Sequence, residues 1–295
     1  MKKLSIANRR IIASILAVAL VVSCLPLLAG CQTQTKVEST LTSTLDSDAT
    51  ITPGTLTVGI NAANSPYGGT NTRTNETVGL DVDIAAAVAD ELGLKLQIVD
   101  VGANGRSALS QGQVDVAFGL TKSGSSDSVT YSPAYINDGA SLFCLSENAP
   151  DSISDVDVSE GKILVQANTA SSYAVQEALG TDSIKAYSTL QEAFEALNSG
   201  KQKYLVADAV IGSYFARDYE NVKRVDFLST ESVTPVYALT LTKNGDLTTA
   251  VSDAIDTITQ NGVLKTIVAK WLGTQGASLL PGAVDMDKLP TTAFE

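Results

Sequence analysis

Apolar positions fall into short runs separated by helical stripes. "TLTVGI", from Thr55, predicts a strand. "GLDVDIAAAVADELGL" follows, with Ile84, Val88 and Leu92 on one stripe and alanine filling between them, which predicts a helix. "KLQIVDV" predicts the next strand, "GRSALSQG" a short helix ending at Gly112, and "VDVAFGL" a third strand. A second series starts at "KILVQA": helix "ASSYAVQEALG", strand "SIKAYS", helix "TLQEAFEALNSG", strand "YLVADAVI", helix "SYFARDY" and strand "RVDFL". "ASLFCL" and "VYALTLT" are two further extended runs, and "DLTTAVSDAIDTITQNG" and "VLKTIVAKWLG" close the chain as helices.

The order strand–helix–strand–helix–strand therefore occurs twice. Such alternation predicts an α/β fold whose parallel or mixed sheets are covered by helices on both faces. Two lobes joined by two extended hinge segments are expected. Lobe 1 takes residues 54–142 and 243–295, lobe 2 takes 147–230, and the hinges are 143–146 and 231–242. Ligands of open α/β sheets bind beyond the carboxyl ends of the strands. With two facing lobes, that place is the cleft between them.

The first 31 residues read differently. A basic start, "MKK…NRR", precedes the apolar run "IIASILAVALVVSCLPLLAG" and then Cys31. Small residues at Ala29 and Gly30 fit the cleavage site of a signal peptide. The alternative is an uncleaved anchor helix, since the run is nearly long enough to span a bilayer. A cysteine directly after "LAG" resembles the bacterial lipobox. That resemblance implies that Cys31 becomes a lipidated N-terminus, held in the membrane by two or three acyl chains. Either way the bulk of the protein lies outside the cytoplasmic membrane. Residues 32–53, rich in Ser and Thr, are expected to be a flexible tether.

Composition narrows the chemistry. The chain has 295 residues, 44% of them hydrophobic, which is enough for a sizeable core. It contains no histidine, so imidazole catalysis and imidazole metal ligation are excluded. The net charge is −12, and Lys2, Lys3, Arg9 and Arg10 all precede Cys31, so the remainder is more acidic still. That argues against nucleic-acid binding, which needs basic surface for phosphate. Cys24 lies in the leader and Cys144 in an apolar run, so no intrachain disulfide is expected and Cys144 reads as a buried, inert thiol. The acid pairs in "LDVDIAAA" and "DMDK" read as solvated surface, so no metal and no cofactor is expected. Trp271 reads as an anchor of the last helix.

Several segments, in order and at matching spacings, resemble the bacterial family 3 extracellular solute-binding proteins. They are "GLDVDIAAAVADELGLKLQIVDV", "SALSQGQVDVAFGLT", "EGKILVQANTASSYA", "YLVADAVI" and "GVLKTIVAKWLG", spanning about 54–273. The resemblance implies the two-lobed type II periplasmic-binding-protein fold of the polar amino-acid ABC importers. It implies a small, amino-acid-like or other polar ligand, an ABC permease as partner, and a monomer tethered to the membrane.

It also implies site residues. In the loop after the first strand, Asn61 and Asn64 stand where the ligand side chain is read, and Tyr67 where an aromatic lines the cleft. At the end of the third strand Gly119, Leu120 and Thr121 match the segment that holds the ligand ammonium. In the second lobe Asn168, Thr169, Ala170 and Ser171 open a helix whose N–H groups can receive an anion. Two family charges appear replaced. The arginine that grips the ligand carboxylate falls at Ser125 or Ser126 in "TKSGSSDSVTYS", with Lys122 nearby but expected to point outward. The aspartate that pairs with the ammonium falls at Ser213, five residues past Asp208, while Asp208 keeps a structural role. Losing one partner of a buried charge pair costs about 2–5 kcal/mol. The expected grip is therefore by dipoles and hydroxyls, with no fixed ion.

Transport is the function this favours. A binding protein that signals occupancy to a receptor is a second reading. An enzyme on the same scaffold, similar to a dehydratase, is disfavoured because the matched pocket residues offer no general acid or base.

Overall fold

The computed structural model describes residues 41–43, 45–124 and 127–294. The leader 1–31 with Cys31, the start of the expected tether, and Ser125 and Ser126 lie outside the described residues. The described residues belong to one compact unit.

The first strands and helices alternate as the pattern predicts: β1 (Thr55–Ile60), the hairpin β2 (Gly69–Thr70) and β3 (Thr77–Val78), α1 (Leu80–Glu91), β4 (Lys95–Asp100), α2 (Gly105–Ser110) and β5 (Val116–Thr121). β6 (Val129–Tyr131), β7 (Ile136–Asp138) and β8 (Ala140–Leu145) follow. The second series is β9 (Ile163–Gln166), α3 (Ala170–Leu179), β10 (Ile184–Tyr187), α4 (Leu190–Asn198), β11 (Tyr204–Asp208), α5 (Ala209–Ala216) and β12 (Val222–Phe227). β13 (Thr234–Leu241), α6 (Gly245–Gln260) and α7 (Val263–Leu272) complete the regular elements.

Two mixed sheets result. One has the order β4-β1-β5-β13-β6, with β7 also on β13; β1 is parallel to β4 and β5, and β13 antiparallel to its neighbours. The other has the order β10-β9-β11-β8-β12, with β8 antiparallel to β11 and β12. Each carries its own core. Leu56, Val58, Ile60, Ile84, Val88, Ile255 and Leu272 pack in the first lobe. Phe143, Leu164, Phe194, Leu197 and Leu205 pack in the second.

The extended runs that read as hinges are ordinary sheet strands. β8 lies in the second sheet and β13 in the first, so the crossings occur at Asp138–Gly139 and at Ser229–Val233. Apolar extension looks alike in a connector and a strand; only the partner strands distinguish them. β8 is buried at every position, because it is covered on both faces. The strand predicted through "YLVADAVI" stops at Asp208. There the Ala209 N–H donates to Gly139 O (2.8 Å) and the Val210 N–H to Asp138 Oδ1 (3.0 Å), turning the chain into α5.

Two terminal segments also differ from the reading. The expected tether is attached well before residue 53. Ala49 and Thr50 are buried, the Ile51 N–H donates to Asp115 Oδ1 (2.7 Å), and Asn244 Nδ2 donates to Ala49 O (2.7 Å). Here a polar segment is held by side chains remote in sequence, which leaves no periodic trace. At the other end, Leu279 and Leu289 pack in the first core, but Ala293 and Phe294 pack on the second lobe. The tail, assigned by its position to lobe 1, thus spans both.

Local signals carry the remaining details. Thr189 and Glu192 form a reciprocal capping box at the start of α4. Thr189→Ala is expected to cost about 1 kcal/mol, read as a lower urea midpoint at unchanged slope. Cys144 is fully buried, and burial pushes its thiol up to about 11. Trp271 is only partly buried; its Nε1 donates to Asp83 Oδ2 (2.7 Å), which also accepts from Lys270 Nζ (2.6 Å). No helix among the described residues is long and apolar enough to cross a membrane.

Candidate ligand cleft

A cleft of about 730 Å³ is lined from both lobes. The first lobe contributes Asn64 and Tyr67 from the loop after β1, and Gly119 and Thr121 from the end of β5. The second contributes Ala170 and Ser171 at the N-terminus of α3, and Asp208 at the end of β11. Both crossings and the C-terminal tail add wall: Asp138 and Gly139, Ser229 to Ser232 in part, and Thr292, Ala293 and Phe294.

Of the residues singled out in the sequence, Asn64, Tyr67, Gly119, Thr121, Ala170 and Ser171 are brought together here. The others have local roles. Asn61 Oδ1 accepts from the Ala63 N–H (3.0 Å) within its own loop. Leu120 packs beneath the sheet against the cluster of Leu109, Val114 and Leu239. Asn168 takes a left-handed turn (φ 60), a conformation asparagine tolerates in place of glycine. Thr169 is the N-cap of α3, in a capping box with Ser172. Ser213 is fully buried inside α5 and does not line the cleft. The carboxylate that lines the cleft from this segment is Asp208, at the end of β11, while the position five residues on, Ser213, is turned into the interior of α5.

The expectation of a cleft without fixed ions is overturned. Asp138, Asp208, Glu177 and Glu231 line it, and no lysine or arginine does among the described residues. Asp138 is held from three sides. Its Oδ1 accepts from the Gly139 N–H (2.8 Å) and the Val210 N–H (3.0 Å), and its Oδ2 from the Tyr67 hydroxyl (2.7 Å). Burial, and next the charge of Asp208, raise its carboxyl above the ordinary range, while those hydrogen bonds pull back. Tyr67 is raised as well, by burial and by Asp138. Asp208 accepts from the Ser171 hydroxyl, which ties the end of β11 to the start of α3. Lys122 points away, with Nζ 5.1 Å from the Tyr237 ring centre and 5.9 Å from that of Tyr131.

A further carboxyl, fully enclosed, lies behind Gly119 of the cleft wall. The Gly119 N–H donates to the Tyr135 hydroxyl (2.9 Å), which donates to Asp81 Oδ1 (2.7 Å). Gly119 has φ 74, and a Cβ there would sit 2.5 Å from Asp81 Oδ2. Only glycine lets the strand pass so close to this buried acid. Burial pushes Asp81 up to about 7.

A family model of bacterial extracellular solute-binding proteins, family 3, matches residues 56–274, more than half of the chain. The chain belongs to this family. Among solved structures, this family 3 protein is similar to an ancestral cationic amino acid solute-binding protein. That match has 27% identity and TM-score 0.63, and covers 74% of this chain and 96% of that one. It is similar in fold to a polar amino acid ABC uptake transporter substrate-binding protein from Streptococcus thermophilus (20%, TM-score 0.65, 75% and 87%). An ancestral cyclohexadienyl dehydratase also shares the fold (22%, TM-score 0.58, 74% and 92%). The scaffold therefore serves binding proteins and at least one enzyme. The tail residues Thr292 to Phe294 lie beyond the stretch that the family model matches, yet they line the cleft of this family 3 protein.

Proposed function

We propose that the protein captures a small polar, amino-acid-like solute between its lobes outside the cytoplasmic membrane and hands it to an ABC importer. The observation that carries this reading is the cleft of about 730 Å³, walled from both lobes and both crossings in a member of a solute-binding family. Closing the lobes would bury the solute and present one closed shape to the permease. The chain works as a monomer, held at the membrane by lipid on Cys31. Presentation of the closed form to a receptor uses the same cleft and is the alternative.

The solute is released unchanged. Asp138, half-buried in the cleft, has both oxygens engaged by Tyr67, Gly139 and Val210, which suits positioning better than proton transfer. Similarity to a cationic amino acid binding protein agrees with an acidic cleft.

A thermal-shift screen of amino acids, amines, dipeptides and organic acids tests the proposal. A solute at a hundred times its Kd stabilises the fold by about 2.7 kcal/mol, which raises Tm by roughly 5–10 °C in a domain of this size. If no solute shifts Tm, capture is wrong.

A further inference from the structure

We infer that the captured solute is a small organic cation that carries no carboxylate, such as an aliphatic amine or guanidine. The inference rests on the solute-capture reading and names its ligand class. Asp138 and Asp208 stand half-buried in the cleft, and Glu177 and Glu231 stand exposed along its wall. Both line the cleft, and the charge of Asp208 contributes to the raised proton affinity of Asp138, so the two repel. A positive group in the cleft near both offsets that repulsion with two attractions.

A zwitterion gains the same attraction at its ammonium but must also place its carboxylate. No lysine or arginine side chain lines the described cleft to meet it. The positive end of α3 is the remaining candidate, since Ala170 and Ser171 line the cleft there. Asp208 stands beside that end, accepting a hydrogen bond from the Ser171 hydroxyl. A ligand carboxylate would therefore enter a site walled by carboxylates, with one helix end shared against it. Excluding a competitor through an unpartnered charge is an effective form of specificity. Tyr67 and Phe294 line the same cleft and supply the aromatic surface on which ammonium and guanidinium groups pack.

Two matched pairs test the inference by titration calorimetry on the full chain at neutral pH: agmatine against arginine, and 1,5-diaminopentane against lysine. Each pair differs by the carboxylate alone. At least one amine is expected to bind, tenfold or more tighter than its amino acid. Asp208→Asn, which keeps an acceptor for Ser171 and hence the fold, is expected to weaken that amine tenfold or more with a ligand-free Tm that is not lowered. An amino acid that binds as tightly as its amine overturns the inference, as does undiminished amine binding by Asp208→Asn. A neutral or anionic solute that binds while every cation fails overturns the ligand class but leaves capture standing. Failure of all solutes in the screen removes capture itself.

Discussion

Gly139→Ala is expected to lower the stability of the protein by about 3 kcal/mol or more. Gly139 lies between β7 and β8, where the chain leaves the first sheet for the second, and its φ is 118. L-residues rarely adopt that conformation, so alanine brings backbone strain of about 1–3 kcal/mol. Space adds a second cost. A Cβ at this position would land inside the van der Waals surface of Ser232 O and come within 3.4 Å of Thr234 N. Both are backbone atoms, one in the return crossing and one at the start of β13, so relief requires the two crossings to part. The Gly139 carbonyl also accepts the Ala209 N–H at 2.8 Å, which couples the shift to α5. Gly102→Ala is the control: φ is 52 there, but nothing lies within 4 Å of the added Cβ. Urea unfolding of both variants separates strain from close approach. Equal losses would show that contact between the crossings is not what requires glycine.

Stability is also expected to fall as the pH rises from about 5 to 8. Burial pushes the Asp81 carboxyl up to about 7 and raises Asp115 and Asp138 in the same direction. Between the ordinary carboxylate value, about 4, and the raised one, the native state holds a proton that the unfolded chain has released. The unfolded state then binds fewer protons, so stability declines with pH. It is fully present below about 4 and lost as the pH passes through 7. For Asp81 a displacement of about three units corresponds to about 4 kcal/mol, most of it lost between pH 5 and 7. The lowered carboxyls of Asp157, Glu192 and Asp285 titrate below this window and do not offset it. Asp81→Asn keeps an acceptor for the Tyr135 hydroxyl and should flatten the profile. Urea midpoints at about pH 5, 6, 7 and 8 provide the readout. A rising profile, or an equal slope in Asp81→Asn, would refute the assignment.

The site shows which inferences pattern alone supports. The stripe of Ile84, Val88 and Leu92 and the buried runs of β1, β5 and β9 are local, and both lobes follow from them. Tyr67, Gly119 and Ser171 reach the cleft because each lies at or beyond a strand end or at a helix start, positions that residue pattern identifies. Asp138 is different. In "INDGAS" it is one polar residue between two extended runs, and nothing local separates a solvated break from a carboxylate held by Tyr67 and Val210. Asp208 was given a structural role because the family resemblance put the ligand-pairing position five residues on, at Ser213; only the packing shows that α5 buries Ser213 and that Asp208 lines the cleft.

By itself, then, the chain's order of strands and helices determined two α/β lobes and the place of the cleft, and the resemblance of its motifs pointed to the family. Periodicity and spacing are local properties that any folded copy must satisfy. The tertiary structure alone decided the sign of the cleft and the course of its walls. Four acids scattered from 138 to 231 meet there, Phe294 arrives from a tail outside the family match, and no lysine or arginine joins them among the described residues. Charges distant along the chain act on a ligand through distance in space, and that distance is set by how the sheets and crossings pack.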